Sequence, residues 1–283
     1  MENLENKEPI IITGMHRSGT SLLTNFLSDC GVFMGKSLDE NYESVFFQRI
    51  NKWILSCVGS SWDNPVTLKK LGNKDIEIIL NRLEKVINSR FSNSLYFGKR
   101  SFLSNKSFNQ NNLLWGWKDP VNTFSLVIWK KVFPAAKVVN ISRHPLDVSL
   151  SLINREKILK KKDVNSVFPK FLSSLLPILS VSKGDVLSSF NISSINDALL
   201  LYKKYNEEMR TNNKIYPDVF NIKYEDMISN PSVILDSLFK FLNLNLNEQK
   251  KEQYIEKMDK SKIFAYKNKD LEFDKQILED IDY

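Results

Sequence analysis

The sequence has few of the residues that build metal centres and disulfide frameworks. Its 283 residues include two cysteines, Cys30 and Cys57, and two histidines, His16 and His144. None of the spacings between them is one that binds zinc, and two cysteines are too few for a disulfide framework. We therefore expect reduced cysteines and no metal site.

Long apolar runs are scarce as well. The most apolar stretch, residues 171–181, is interrupted by three serines and a proline, whereas a membrane helix needs about 20 apolar residues in succession. The first ten residues, MENLENKEPI, have neither the basic start nor the apolar middle of a secretory signal. The sequence thus predicts no integral membrane segment and a cytoplasmic location.

Apolar and charged residues are both abundant. Hydrophobic residues make up 42% of the chain, which is enough for a substantial core and excludes disorder. The 40 Lys and Arg residues exceed the 33 Asp and Glu residues, which gives a net charge of +7. Because the basic residues are interspersed with acidic ones, nucleic acid is the least favoured partner for this charge.

Strands and helices are predicted to alternate along the chain. Short β-branched or apolar runs, each followed by a helical pattern, predict strands at residues 9–13, 113–118, 137–141 and 219–223. This alternation predicts an α/β fold around a central parallel sheet flanked by helices.

The pattern also predicts the domain organisation. Because the sequence has no internal repeat and no interdomain linker, residues 1–283 are expected to form a single domain. Residues 159–194 have no clean period and are predicted to be a helical cap or insertion. Residues 247–283 are predicted to be a charged helical tail, and the Ser- and Asn-rich residues 92–112 a loop or lid.

Residues 14–21 (GMHRSGTS) connect the first predicted strand to a helical pattern. At such a junction the unpaired N–H groups and the dipole of the helix favour an anion. The two glycines are spaced as in a Walker A loop, but Thr20 occupies the position of the Walker lysine, which disfavours a nucleoside-triphosphate kinase. Arg17 would bind a terminal phosphate and the group leaving from it, with hydroxyl groups from Ser18, Thr20 and Ser21.

A second anion site is indicated at residues 141–151 (ISRHPLDVSLS), where a strand ends and Pro145 begins a helix. Arg143 at the end of the strand and Ser151, two turns into the helix, would hold one phosphate between a guanidinium and a hydroxyl. Taken alone, Arg143 is more typical of a surface ion pair and Ser151 of an ordinary helix serine.

Together these segments resemble the sulfotransferases that use 3′-phosphoadenosine 5′-phosphosulfate (PAPS). PIIITGMHRSGTSLL resembles their 5′-phosphosulfate loop and VVNISRHPLDVSLSL their 3′-phosphate motif, and GWKDP and NIKYEDMISNPSVILDSLFKFLNL are similar to two further family segments. The resemblance implies a P-loop-like three-layer fold and the release of 3′-phosphoadenosine 5′-phosphate (PAP). It also implies a donor site formed by Gly14, His16, Arg17, Ser18, Gly19, Thr20, Ser21, Arg143, Ser151 and Tyr224, the last near the adenine.

The resemblance further implies roles in the reaction, which needs no metal in this family. Arg17 and Lys118 would stabilise negative charge on the bridging oxygen of the donor. The residues that directly follow Lys118 include no histidine, so two carboxylates, Glu43 and Asp119, remain candidates for the base. Glu43 resembles the acid of the protein-tyrosine and carbohydrate branches but also suits a helix start, and Asp119 is favoured as a helix N-cap.

Two features of many family members are missing from this sequence. There is no glycine after Gly184, so the Gly-rich basic segment that closes over the 3′-phosphate is absent, and Lys267 and Lys269 are the residues considered in its place. The tryptophan that often stacks on the adenine after the first loop is absent too, because residues 20–23 read TSLL.

Two functions are therefore expected. The first is an enzyme that moves a sulfuryl group from PAPS to a hydroxyl, or to an amine, of a carbohydrate, lipid or small-metabolite acceptor. The second is a catalytically silent scaffold that binds PAP through the same fold. The partner expected for the enzyme is a small-molecule or glycan acceptor, and the sequence indicates neither its identity nor the oligomeric state.

Overall fold

The computed structural model describes residues 8–98, 108, 113–161 and 188–283. In this part of the chain the centre is a parallel sheet of four strands in the order β2–β1–β3–β4. The strands are β1 (Ile10–Thr13), β2 (Gly116–Lys118), β3 (Lys137–Ser142) and β4 (Val219–Lys223). The β-branched residues of β1 and β3 suit the centre of a pleated sheet that is buried on both faces.

Helices follow each strand and cover both faces of the sheet. The α-helices of the described residues, in chain order, are α1 (Thr20–Asp29), α2 (Val45–Ser56), α3 (Asn73–Ile87), α4 (Arg90–Phe97), α5 (Asn122–Val132), α6 (Pro145–Lys161), α7 (Ile195–Ile215), α8 (Tyr224–Ser229), α9 (Pro231–Leu242), α10 (Glu248–Glu256) and α11 (Lys275–Glu279).

The side chains of β1 alternate between two apolar layers. Ile10 and Ile12 pack with α1 and α9 on one face, whereas Ile11 packs with α5 and Trp117 on the other. All three isoleucines are buried. The central strand is therefore fully enclosed, as a parallel sheet requires. A third apolar cluster joins α6 to α7.

The sequence-based prediction of an α/β fold with a parallel sheet is confirmed. The chain is P-loop-like, with its helices and sheet in three layers, and each predicted strand is present, although β2 is shorter than its apolar run. The crossover direction changes at β1: β2 lies on one side of it, and β3 and β4 lie on the other. Ligands of open α/β sheets bind beyond the carboxyl ends of the strands at such a switch point.

The prediction of a loop over residues 92–112 is wrong for its first part. Helix α4 extends to Phe97, because Ser89 caps it and the buried Tyr96 anchors it. The Tyr96 hydroxyl donates a hydrogen bond to the carbonyl oxygen of Gly116, at 2.5 Å. This burial outweighs the Ser- and Asn-rich composition. The rest of that segment, residues 99–107 and 109–112, and most of the predicted cap, residues 162–187, lie outside the described residues.

The C-terminal segment returns across the molecule after α9. It contains α10, two short 3-10 turns and α11. The backbone N–H of Tyr266 donates to Asp147 on α6 at 2.9 Å, and the N–H of Asp274 donates to Asn196 on α7 at the same distance. The segment thus lies against the helices that follow β3. Among the described helices, none has the length and apolarity to cross a bilayer.

Candidate functional site

The first and third strands bring the two predicted anion sites together. Thr13 at the end of β1 pairs with Asn140 in β3, so the segments that follow the two strands leave the sheet side by side. The Arg17 Nε donates to the Ser151 hydroxyl at 2.9 Å, and an Arg143 Nη donates to the carbonyl oxygen of Arg17 at 3.4 Å. One site therefore extends across both junctions.

The loop after β1 depends on close backbone approach. A Cβ atom at Gly14 would lie 2.2 Å from the carbonyl oxygen of Ile141 in β3, so a larger residue would separate the strands. Gly19 has φ +101°, precedes α1 and has no side chain to cap it. The first N–H groups of α1 are thereby left for another acceptor. Arg17, with φ 70°, has a left-handed backbone conformation, which residues other than glycine rarely adopt.

The two junctions border a cleft of about 260 Å³. Among the described residues, six cationic side chains and two carboxylates line it, so its potential favours an anion. The charged residues lining the cleft are Arg17, Lys118, Arg143, Arg155, Lys257, Lys262, Glu43 and Asp259.

A buried ion pair lies on the wall of this cleft. The Lys118 Nζ at the end of β2 contacts Oε1 of Glu43, two residues before α2, at 3.0 Å. The side chains are only 1% and 7% exposed, respectively. The other Glu43 oxygen accepts a hydrogen bond from Gln48 at 3.0 Å. Removing one member of a buried pair leaves the other as an uncompensated charge, so the two positions depend on each other.

Asp119 does not reach the cleft. One of its oxygens accepts from Asn51 at 2.8 Å and the other from the backbone N–H of Val121 at 2.9 Å, as in a helix-start turn. Burial, and then the charge of Glu43, raise the pKa of Asp119 to about 7. Of the two candidate bases, Glu43 lines the cleft, whereas Asp119 supports α5 from below it.

Besides the carbonyl oxygen of Arg17, three groups hold Arg143 in place. Its guanidinium lies 4.8 Å from the centre of the Tyr224 ring, contacts Asp147 at 3.4 Å and donates to the carbonyl oxygen of Lys262 at 2.6 Å. Tyr224 in turn packs against Gly19, where a Cβ atom would lie 2.5 Å from its ring. The second anion site is therefore built against the first loop on one side and the C-terminal segment on the other.

His16 is a neutral residue of the cleft. Burial, and then the positive charge of Arg155, hold the pKa of His16 well below its usual range. Its ring lies edge-on to Trp62 with centroids 4.8 Å apart. Within the described part of the chain its Nε2 is buried without a hydrogen-bond partner, so it can accept or donate one bond to a ligand.

Most of the predicted donor-site residues line the cleft, and two do not. Ser18 is fully buried beneath the loop, and Gly14 lies behind it against β3. His144, which was not placed in the site, caps α6 by accepting the N–H of Leu146 at 3.3 Å. The predicted residues that line the cleft are His16, Arg17, Gly19, Thr20, Ser21, Glu43, Lys118, Arg143, Ser151 and Tyr224.

Three basic residues of the cleft were missed in the sequence. Arg155 lies one helical turn after Ser151 on α6, a spacing that puts both on one face and was available from the sequence. Lys257 and Lys262 come from the C-terminal segment, where Lys267 and Lys269 had been considered instead. No local pattern distinguishes these four lysines, because the return of the segment is a long-range feature.

Fold and site define a class: an α/β protein with a cationic cleft beyond the carboxyl ends of its parallel strands. The sequence gives the family, since the sulfotransferase family model matches residues 9–248, and the chain belongs to that family. A search of curated proteins found no significant match.

Solved sulfotransferase structures are similar to this chain. The sulfotransferase domain of the Synechococcus PCC 7002 olefin synthase has a TM-score of 0.51 at 15% identity, over 99% of this chain and 96% of that one, and it supports the fold. The sulfotransferase domain from the curacin biosynthetic pathway has a TM-score of 0.45 at 18% identity, over 89% and 79% of the two chains. Mouse sulfotransferase SULT7A1, complexed with PAP, has a TM-score of 0.40 at 15% identity, over 95% and 71%.

Proposed function

We propose that this chain is a PAPS-dependent sulfotransferase that acts on a hydroxyl, or on an amine, of a small-molecule or glycan acceptor. The observation that carries the proposal is the convergence of Arg17 and Arg143, from two different strand-to-helix junctions, on the cleft that also contains the Lys118–Glu43 pair. Two cationic anchors in one cleft suit a ligand with a charged group at each end.

The residues of the cleft fit such a donor. Arg143 Nε is buried without a hydrogen-bond partner among the described residues, and the start of α1 has no side-chain cap. Phosphate and sulfate oxygens are acceptors that would satisfy these donors. Arg17 and the loop amides would hold the phosphosulfate end, and Arg143 and Ser151 the 3′-phosphate. Tyr224 would border the adenine.

Bound PAPS supplies the sulfuryl group: its bond from sulfur to the bridging oxygen breaks, the acceptor oxygen bonds to that sulfur, and PAP leaves. Lys118 and Arg17 stabilise the negative charge that grows on the bridging oxygen. Both are cations fixed before the reaction, Lys118 by its ion pair and Arg17 by Ser151. Preorganised charges of this kind contribute about 10² or more in rate.

Glu43 is the proposed base. Its carboxylate lines the cleft and is held by Lys118 and Gln48, so it is placed to take the proton of the acceptor hydroxyl. Asp119 is assigned a supporting role, because Glu43 lines the cleft and Asp119 does not. The presence of a carboxylate in the cleft favours an enzyme over a catalytically silent scaffold.

The proposal is tested by measuring PAP affinity and PAPS turnover side by side. We expect wild type to bind PAP and to sulfate at least one member of an acceptor panel of sugars, alcohols and phenols. Glu43→Gln should retain PAP affinity within about twofold and lose turnover by about 10²-fold or more. Arg17→Ala should lose both.

Two outcomes separate the alternatives. Turnover by Glu43→Gln at the wild-type rate would remove Glu43 as the base. PAP binding without turnover by wild type across the whole panel would favour the scaffold, and absence of PAP binding would contradict both functions.

A further inference from the structure

We propose that the acceptor carries an anionic group and that Arg155 binds it in a second cavity beside the donor cleft. This inference rests on the proposed function and narrows the acceptor class. The proposed donor does not require Arg155, since Arg17 would bind its phosphosulfate end and Arg143 its 3′-phosphate.

The second cavity has a volume of about 290 Å³ and adjoins the donor cleft. Arg17, Asn41, Ser151 and Arg155 line both spaces, so a group in the second cavity lies next to the place where the sulfuryl group would be held. The polar lining is completed by Glu40 and Asn154.

Arg155 forms an ion pair with Glu156 but makes no hydrogen bond among the described residues. Its guanidinium lies 5.3 Å from the centre of the Trp62 ring, which fixes its plane. Its Nη1 approaches Glu156 at 3.5 Å, yet within the described residues this buried nitrogen has no hydrogen-bond partner. The other oxygen of Glu156 is already bonded to the N–H of Ser189. The Arg155 donors therefore remain available to a ligand.

Two guanidinium groups, Arg17 and Arg155, and one carboxylate, Glu40, line the cavity, so its charged groups still favour a negative ligand. Burial, and then the charge of Arg155, lower the pKa of Arg17, which means that the two guanidinium groups are close enough to repel each other. An anion near Arg155 removes part of this repulsion. A planar carboxylate suits the paired N–H donors of a guanidinium.

Helix α6 also defines the part of the acceptor beyond the anion. Ser151 and Arg155 are one turn apart, and Ile158 and Leu159 follow one turn further and line the same cavity. Ile158 is 60% exposed and is thus open to contact. The acceptor class that fits is a hydroxyl compound with a carboxylate near the reacting end and an apolar portion beyond it.

The experiment compares matched anionic and neutral probes on the PAP-saturated chain. Benzoate and its uncharged isostere benzamide are titrated by calorimetry, which needs no turnover. Wild type should bind benzoate about tenfold more tightly than benzamide, and Arg155→Gln should abolish this preference. Because Arg155 also lines the donor cleft, this variant should weaken PAP by no more than about three- to fivefold, as expected for loss of one cleft charge. Lys157→Gln, which removes an exposed charge from the same helix, should leave the preference intact.

Turnover of 3- and 4-hydroxybenzoate against the corresponding hydroxybenzamides provides the second measurement. We expect the acids to be the better acceptors and Arg155→Gln to raise their KM more than it lowers kcat. Equal binding of benzoate and benzamide to wild type overturns the inference. A loss of PAP affinity of more than about tenfold in Arg155→Gln, with the preference for benzoate retained, assigns Arg155 to the donor instead. Failure of wild type to bind PAP is a failure of the proposed function and is seen before either probe is added.

Discussion

At the scale of single residues, the cleft combines buried charges that are satisfied with others that are not. Lys118 and Glu43 are both buried, and each compensates the charge of the other. Asp119, which directly follows Lys118, has its oxygens bonded to amide donors and lies close enough to Glu43 for their charges to repel. The three residues are therefore an electrostatic unit behind the proposed reaction.

The pKa of Asp119 makes stability depend on pH. Because this pKa is about 7 in the folded chain and 3.8 for an ordinary aspartate, the folded state binds the extra proton between these values. The stabilisation is fully present below the lower value and is lost as pH rises through the upper one. Relative to Asp119→Asn, wild type should lose about 2 kcal/mol of unfolding free energy between about pH 5 and about pH 7.

Urea unfolding at these two pH values measures the effect. Asp29→Asn, on the exposed end of α1, is the control for the loss of one carboxylate and should show no such change relative to wild type. A constant difference between wild type and Asp119→Asn across this range would mean that Asp119 is ionised throughout.

At the scale of elements, the junction between β1 and α1 borders the cleft that is proposed to bind the donor. Gly19 adopts φ +101° directly before α1, and its missing Cβ leaves room for the Tyr224 ring. The same contact connects the first loop to the start of α8, whose first residue is Tyr224. A substitution at Gly19 should therefore displace residues on both sides of the cleft.

Gly19→Ala should cost both stability and PAP affinity. The left-handed backbone costs an alanine about 1 kcal/mol, and the new Cβ atom would lie 2.5 Å from the Tyr224 ring. Gly31→Ala is the matched control, because Gly31 has φ +97° but no atom within 4 Å of a new Cβ. Unfolding should show a similar backbone cost in both variants. PAP titration should show a loss of affinity only in Gly19→Ala. Equal PAP affinities of Gly19→Ala and Gly31→Ala would mean that Tyr224 does not contribute to the donor site.

Elements with a local pattern could be predicted from the sequence. The β-branched runs of β1 and β3 and the proline that starts α6 are such patterns, and the structure confirms them. Helix α4 could not be predicted, because its stability comes from burying Tyr96 rather than from its Ser- and Asn-rich composition.

The candidate site also has a part that could be predicted from the sequence and a part that could not. The loop after β1 and the start of α6 were predicted from residue order, and the pairing of β1 with β3 brings them together. The position of Arg155 in the cleft could have been predicted, because Arg155 lies one helical turn after Ser151. Lys257 and Lys262 depend on where a distant segment returns, which residue order alone does not specify.

At the scale of the whole molecule, the cleft is completed by segments that are far apart in sequence. The C-terminal segment supplies Lys257 and Lys262, and the carbonyl oxygen of Lys262 accepts the hydrogen bond from Arg143. In the proposed donor complex the segment would take the place of the missing Gly-rich region, through a backbone contact and two lysine side chains.

Lys262→Ala should lower PAP affinity by about three- to fivefold, as expected for loss of one exposed charge near an anion. The backbone contact with Arg143 is retained in this variant, so the effect reports the side chain alone. Lys269→Ala, whose side chain does not line the cleft, should bind PAP as wild type does. Titration calorimetry measures both. Equal losses in the two variants would indicate a diffuse charge effect instead of a cleft contact.

The central claim is that Arg17 and Arg143 hold opposite ends of one nucleotide. The most direct measurement compares the affinities of PAP and adenosine 5′-phosphate, which lacks the 3′-phosphate, for wild type, Arg17→Gln and Arg143→Gln. We expect Arg143→Gln to weaken PAP by about tenfold or more and adenosine 5′-phosphate by less than about twofold, whereas Arg17→Gln should weaken both. Equal weakening of the two nucleotides by Arg143→Gln would contradict this claim.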